Sequence, residues 1–560
     1  MKSNWTGKNV GALILLCGFL FVFLAACAAH APLQGKNKVE GSDKGSFHLV
    51  GAGPGDADLL TARALNEIRK ADIIFCDPVM KDKLSSYVDF EGKEVMDGYG
   101  GLFRFYGKDC DKLTGEEQSR HSMSCEQYHQ KQAEFAGLVR RAVQAGKNVV
   151  LLSSGDPTIY GPDIWSLKEL RELDPVVVPG LSAFNAANAA LQVSLGEVII
   201  TAPFKRKNKK DTIESLSGHD RATMIIFMPR NMQDLFARLL RVYPADTPAA
   251  VVSYAGHAGR QNVVTGTVGD ITGALTEDMR TSLVYVGKSL AKARYKKAEE
   301  KAPQGKGKFY LVGIGPGDPD LATLRALKVI EKADVIFAGK RISEKFGAYL
   351  KGKKVVAGYH RLFPFYGKDC ATLTPEDKAK ERMSCKEYHR RQEEFAAMVR
   401  AAVAQGKTVA MLDSGDPLIY GPCSWALTEL RNLDTEVVPG LSCFNAANAA
   451  LRAGVTEGKS SHSIILASGW SVEEMAEHQS TMVLFTMRTQ LKKFIDNLLK
   501  HYPSDTPVGI VFSAGYAEKE KVVRATLGSI LDKLGENRLP FEYLLYVGDF
   551  LADSTASLNK

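Results

Sequence analysis

Two short stretches of this 560-residue chain bring together residue types that could do chemistry. The first is Ser153-Ser154-Gly155-Asp156-Pro157-Thr158-Ile159-Tyr160-Gly161, and the second is Asp413-Ser414-Gly415-Asp416-Pro417-Leu418-Ile419-Tyr420-Gly421. Each offers a carboxylate, a phenol and bare glycine backbone in a tight polar loop, a set suited to a small polar ligand. Asp156 and Asp416 have a second possible use, as turn residues that bond their own backbone around the proline. Another glycine loop, Gly51-Ala52-Gly53-Pro54-Gly55-Asp56, returns as Gly313 to Asp318. Its spacing invites a dinucleotide fingerprint, and its residue types argue against one. Asp56 stands where the third glycine belongs, and Pro54 lacks the N–H that a phosphate would use. Asp56 and Asp58 are expected to cap the following helix, where they would repel a pyrophosphate.

The elements that must position these loops can be read from the pattern. Asn148 to Ser153 is a continuous apolar run, as in a buried parallel strand, and such sheets bind ligands beyond the carboxyl ends of their strands. Phe47 to Val50 predicts another strand, with a helix over 59–70 and a strand over 71–75. A helix is expected over 125–145, with Cys125, Tyr128, His129 and Gln132 on one face and Phe135, Leu138, Val139 and Ala142 continuing it inward. Helices follow over 163–173 and 183–191, the latter nearly all small residues, with a strand at Val176 to Val178 between them. Residues 198–287 read as strand-rich, with helices near 232–242 and 270–275. All of this occurs twice. Phe105 to Cys110 returns as Phe365 to Cys370, and Phe184 to Leu191 returns as Phe444 to Leu451 at the same offset. The repeat is too long for a solenoid. The expectation is an α/β protein of two tandem domains, 46–290 and 308–552, joined by a linker at 291–307, each with two α/β lobes and a cleft between them.

Composition is that of an ordinary globular protein, with 45% hydrophobic and 24% charged residues and a formal net charge of +8. No basic block is interleaved with aromatics, so nucleic acid is not an expected partner. Lys2 and Lys8 precede an apolar run from Val10 to Ala26, short for a membrane span and typical of a secretory signal. It ends in Leu24-Ala25-Ala26-Cys27, which resembles a bacterial lipobox. That resemblance implies a signal peptide at 1–26, lipidation of Cys27, a tether at 27–45 and a body anchored to a membrane at the cell envelope, facing the periplasm or exterior.

The loop motifs taken together resemble the tetrapyrrole (corrin/porphyrin) methylases. The match runs in order through Val50 to Asp56 with Leu59-Leu60-Thr61, Gly155-Asp156-Pro157 with Tyr160-Gly161, Val178 to Ser182, Phe227-Met228 and Gln261 to Thr267. In the second copy it runs through Val312 to Asp318, Gly415 to Gly421, Val438 to Ser442 and Thr486-Met487, with a looser final motif at Lys521 to Thr526. The resemblance implies tandem methylase-like domains, S-adenosylmethionine as cofactor in each cleft, and a tetrapyrrole of uroporphyrinogen or precorrin type as substrate of a C-methyltransferase. It implies cofactor contacts at Gly155, Asp156, Pro157, Tyr160, Gly161, Ser182, Ala183 and Met228. The second-copy contacts would be Gly415, Asp416, Pro417, Tyr420, Gly421, Ser442, Cys443 and Met487. Asp56 and Asp318 hold the family's first-loop aspartate position and are the expected acid/base groups.

The segment from Phe103 to Gln132 looks like an addition to that pattern. Cys110, Cys125 and His129 return as Cys370, Cys385 and His389, with three metal-type ligands per copy. In an exported protein these cysteines suit disulfides Cys110–Cys125 and Cys370–Cys385; metal or haem ligation through the histidines and free thiols are the alternatives. Arg104, Lys108, Arg361 and Lys368 beside them could meet substrate carboxylates. Cys76, Cys423 and Cys443 read as core thiols. Export conflicts with a cofactor made in the cytoplasm. The alternative function is therefore an envelope lipoprotein that binds a tetrapyrrole without catalysis.

Overall fold

The computed structural model describes residues 45–119, 121–204, 211–276, 281–293, 307–469, 471–485, 490–535 and 539–552. The expected signal peptide, Cys27, nearly all of the tether, most of the linker and Met487 lie outside the described residues. Among the described residues no helix is long and apolar enough to cross a membrane.

The first lobe of copy one is built on β1 (Ser46–Gly51), β2 (Ile73–Phe75), β3 (Glu94–Met96), β4 (Asn148–Ser153) and β5 (Val176–Val178), all parallel in the order β3-β2-β4-β1-β5. The central strands are covered on both faces, so their apolar runs are unbroken. Phe47, Leu49 and Leu151 face one core and Val50, Val150 and Leu152 another. Copy two repeats this with β11 (Lys308–Gly313), β12 (Val335–Phe337), β13 (Lys354–Val356), β14 (Thr408–Asp413) and β15 (Thr435–Val438). The helices used below are α1 (Ala62–Lys70), α2 (Cys125–Gln144) and α3 (Ala183–Leu191), with counterparts α4 (Leu324–Lys332), α5 (Cys385–Ala404) and α6 (Cys443–Leu451).

The helix expected over 59–70 starts later, and its cap is not an aspartate. Thr61 caps α1 by accepting the N–H of Ala64, while the Asp56 side chain makes no capping bond. Leu60 and Thr61 are held extended because the chain pairs there with copy two: Ala62 N–H donates to the Ala322 carbonyl and Leu324 N–H to that of Leu60. The helix expected over 163–173 shortens to Trp165–Glu169 with one 3-10 turn behind it.

The second lobes depart most from two separate bodies on a linker. Copy one contributes β6 (Glu197–Thr201), β7 (Ala222–Phe227), β8 (Pro248–Ser253), β9 (Asn262–Thr267) and β10 (Ser282–Val286). Copy two contributes β16 (Ile464–Ser468), β17 (Thr481–Phe485), β18 (Pro507–Phe512), β19 (Lys521–Thr526) and β20 (Tyr543–Val547). They form one ten-stranded sheet, β19-β18-β20-β17-β16-β6-β7-β10-β8-β9. At its centre β6 and β16 run antiparallel, with Ile199 opposite Ile465 and Val198 opposite Leu466. Neither edge strand of a copy is left open there, which removes a template for aggregation. On one face the sheet shares a core with α3 and α6 from both copies; Phe184 and Phe444 meet across the junction with ring centroids 6.5 Å apart. The small residues of α3 and α6 permit that approach.

The inserted segment is strapped down by α2. Gln132 Nε2 donates to the carbonyls of Leu102 (2.6 Å) and Arg104 (3.0 Å), and His129 Nε2 lies 2.9 Å from the Phe105 carbonyl. Cys110–Cys125 and Cys370–Cys385 are disulfides in the structure. Closing loops of this length removes unfolded-state freedom worth about 3 kcal/mol each.

Two outcomes are expected. Residues 45–293 expressed alone expose the β6 edge and the α3 face, so light scattering should find self-association and no stable monomer. Replacing Cys110 and Cys125 together by serine should lower unfolding stability by about 2–4 kcal/mol in denaturant titrations.

Candidate functional site

The loops singled out in the sequence converge at the carboxyl ends of β1, β4 and β5. They meet through backbone alone. A Cβ added at Gly51 would stand 2.5 Å from the Gly180 nitrogen, and one at Gly180 would stand 2.3 Å from the Gly155 carbonyl oxygen. Gly313, Gly440 and Gly415 make the same contact in copy two. Gly155 and Gly415 themselves are uncrowded: a Cβ there would meet only the Leu181 or Leu441 carbonyl, at 3.8 Å. Their φ values of +74° and +85° also require glycine. The result in each copy is a small opening over uncrowded backbone, partly exposed at Gly155 and buried at Gly415, beside Ser182 and Ala183, or Ser442 and Cys443, at the start of the following helix. Ser182 and Ser442 each form a capping box with the asparagine three residues on. Met228, at the end of β7 in the second lobe, is 40% exposed and in the left-handed region.

Asp156 and Asp416 do not face this opening. Both are buried and cross to the other copy. Asp156 accepts from the Thr158 N–H and hydroxyl with one oxygen, and from Asn445 Nδ2 at 2.7 Å with the other. Asp416 accepts from Leu418 N–H and, at 2.7 Å, from Asn185 Nδ2. Each thus bonds its own turn and also a helix of the opposite half. Burial pushes Asp156 up to about 6 and Asp416 up to about 7, against hydrogen bonds that favour the ionised form. Tyr160 likewise turns to the junction, donating its hydroxyl to the His462 carbonyl at 2.7 Å; its N–H donates to Thr456. Tyr420 packs on Phe485 with centroids 4.6 Å apart. Gly161 and Gly421 lie so close to the carbonyls of Pro157 and Pro417 that a side chain would collide. Of the loop residues, Gly155 and Gly415 line the opening, and Asp156, Asp416 and Tyr160 hold the loops to the neighbouring copy.

Asp56 and Asp318 bridge lobes and copies at once. Asp56 N–H donates to the Gly256 carbonyl, and its Oδ2 accepts from Ala258 N–H (3.0 Å) and from Arg325 (2.9 Å) on α4. Asp318 repeats this with Gly515, Ala517 (2.9 Å) and Arg63 (3.4 Å) on α1. In both, Oδ2 takes these side-chain contacts. Asp58, expected at a helix cap, instead pairs with Arg325. The sequence reading did not single out Arg63, Arg325, Asn185 or Asn445. The equivalence of the copies was the available signal, since each occupies the same place in both.

A cation already rests against the first loop. Lys83 Nζ is largely buried and donates to the carbonyls of Ala52 (3.2 Å) and Gly53 (3.1 Å); burial lowers its pKa to about 8. Lys345, its counterpart, donates to the Gly317 carbonyl further along the second copy's loop. Carbonyls turned toward a cation are the opposite of the N–H nest that holds phosphate. Arg104, expected near substrate, lies 2.8 Å from His121 Nδ1 and over the Phe103 ring.

A family model described as Tetrapyrrole (Corrin/Porphyrin) Methylases matches residues 46–272 and again 308–531. Cobalt-precorrin-4 C(11)-methyltransferase of Methanocaldococcus jannaschii is 31% identical over 266 residues, 45% of this chain and 92% of that protein. Uroporphyrinogen-III C-methyltransferase of the same organism is 30% identical over 255 residues, covering 43% and 96%. Uroporphyrin-III C-methyltransferase from Thermus thermophilus, solved with S-adenyl homocysteine, is 24% identical, covers 44% of this chain and 99% of that one, and has a TM-score of 0.33.

The Asp156–Asn445 bond gives a pH-dependent prediction. A carboxyl raised on folding contributes stability below its unfolded value near 4 and loses it as pH rises through about 6. The Asn445 donor bonds the ionised form more strongly than the neutral one. Asn445→Ala should therefore cost roughly 1–3 kcal/mol at pH 8 and less at pH 5, the remainder being the lost capping bond. Denaturant unfolding at both pH values measures the difference, and equal costs would contradict it.

Proposed function

The chain belongs to the tetrapyrrole (corrin/porphyrin) methylases, and from that premise we propose that it is an S-adenosylmethionine-dependent C-methyltransferase acting on a tetrapyrrole of uroporphyrinogen or precorrin type. The observation that carries this reading is the patch of bare backbone at Gly155 and Gly415, where any side chain would occupy the opening. It stands beside similarity to two tetrapyrrole C-methyltransferases over nearly their whole length.

The residues present fit such a cofactor. The first loop holds a lysine ammonium against its carbonyls, so its electrostatics suit a cation in place of a phosphate. Gly155, Ser182, Ala183 and Met228 would hold the cofactor in copy one, and Gly415, Ser442 and Cys443 in copy two. When bound, S-adenosylmethionine supplies an electrophilic methyl group on a sulfonium. The chain's own part is alignment of the two reactants, which alone can lower a barrier by several kcal/mol. Asp56 and Asp318 are the groups to move a proton. Each is fixed by an arginine through Oδ2, and Oδ1 makes no hydrogen bond among the described residues. An oxygen held in place but still free to accept is what a general base requires.

The resemblance of Leu24 to Cys27 to a lipobox supports a second part of the proposal, that the body is tethered outside the cytoplasm through Cys27. That placement is also what favours the alternative, a tetrapyrrole-binding lipoprotein without catalysis.

Calorimetric titration of the full chain with S-adenosylmethionine separates the two. The enzyme reading expects binding at two sites; no heat at millimolar cofactor would sink it and leave the alternative. With uroporphyrinogen or precorrin substrates, Asp56→Asn and Asp318→Asn should each remove about half of the turnover with cofactor affinity unchanged. On that reading the double variant should lose on the order of a hundredfold or more.

A further inference from the structure

The two copies differ in one buried pocket at the carboxyl end of the first-lobe sheet, beside the loop just described. In copy one the pocket holds Gly100, Ser153 and Asp163; the matching positions in copy two are His360, Asp413 and Cys423. In copy one the Asp163 carboxylate accepts the Gly101 N–H at 3.2 Å, and the Ser153 hydroxyl beside it is buried without a hydrogen bond. In copy two the carboxylate moves from the start of the helix to the end of β14. A sulfur takes its former place, and an imidazole appears where there was none.

The geometry of copy two leaves donors without partners. Asp413 is fully buried; its Oδ2 accepts the Cys423 N–H at 3.1 Å, while its Oδ1 is buried and makes no hydrogen bond. His360 Nε2, also buried and without a hydrogen bond, stands 3.5 Å from that Oδ1. The imidazole packs over Gly339, where copy one carries Asp77, so the glycine makes room for the ring. Cys423 is fully buried, and the Arg361 backbone N–H faces its sulfur. The ligand atoms of His360, Asp413 and Cys423 all lie within 4.8 Å of one another.

We infer that His360 Nε2, Asp413 Oδ1 and Cys423 Sγ form a binding site for a divalent ion of the zinc class in copy two alone. Nitrogen, oxygen and sulfur ligands together select a borderline metal over calcium or magnesium. The thiol proton leaves to solvent on binding, and a thiolate, a carboxylate and a neutral imidazole then bring the divalent charge to zero. A neutral cluster is the form in which such groups tolerate burial. Three protein ligands leave a fourth position for water or a substrate group. Asp413 lies two residues before Gly415, so the ion would border the second opening and not the first.

Cobalt(II) titration of the full chain, stripped with chelator and kept free of reductant, tests this. Intact disulfides keep Cys110, Cys125, Cys370 and Cys385 from competing. One equivalent should bind with a thiolate-to-cobalt charge-transfer band. Cys423→Ser should abolish the band, and His360→Ala should weaken affinity at least about tenfold. The combined variant H360G/D413S/C423D gives copy two the residues with which copy one folds; circular dichroism and an unchanged unfolding midpoint should show it intact, and it should bind no cobalt. Absence of binding in the native chain would overturn the inference. Binding without the band, or an identical band in the combined variant, would do the same.

Discussion

The whole arrangement depends on two buried carboxylates that cannot be satisfied within their own halves. Asp156 and Asp416 sit at the tightest point of the strand-end loops, shielded from water, and each takes a donor from the opposite copy. A buried carboxylate without its hydrogen bonds is among the costlier defects a fold can carry. The loops can therefore keep their shape only when the two halves are docked. The same asparagines also cap α3 and α6, so one side chain fixes a helix start and a neighbour's loop together. Arg63 and Arg325 extend the pattern to the first loop, each crossing to the aspartates of the other copy. Loop shape, helix position and docking are one constraint.

Much of the fold was legible in the residues because local rules and packing agree. The buried run of β4, the periodic face of α2 and the strand-rich second half announce themselves through apolar spacing. What could not be read was the partner of each surface. Nothing in Val198-Ile199-Ile200 distinguishes a strand that closes on its own lobe from one that joins another copy. Asp58 had the residue type and position of a helix cap, and the cap passed to Thr61 because pairing with Thr323 held the chain extended for longer. Asp156 was legible as a turn residue; its bond to Asn445 spans a distance in sequence that no local pattern encodes. Cys423 read as a core thiol and is buried, and His360 drew no notice. Only comparison of matched positions between copies reveals that they share a pocket.

The openings themselves are made mostly of what is absent. Glycines at 51, 155 and 180 let three loops touch through backbone, and Gly155, whose N–H donates to the Gly53 carbonyl, leaves room for a ligand. A site of this kind tolerates little change at its glycines and considerable change around them. Copy two has used that freedom, replacing the Ser153 and Asp163 pair by a different set of polar groups without disturbing the loop beside it. A duplicated fold can in this way keep its architecture in common while its two openings diverge in chemistry.

The central β6–β16 pairing also has a consequence in time. Its two strands are separated by nearly half the chain, and copy one is complete long before its partner strand exists. At roughly 5–20 residues per second, synthesis leaves that edge waiting on the order of tens of seconds. During the interval an apolar strand with unpaired backbone faces solvent beside an uncovered helix, the state most open to association between nascent chains. Pairing across so long a span is also intrinsically slow. The ten-stranded sheet that protects the finished molecule therefore makes the half-finished one a natural client for a chaperone.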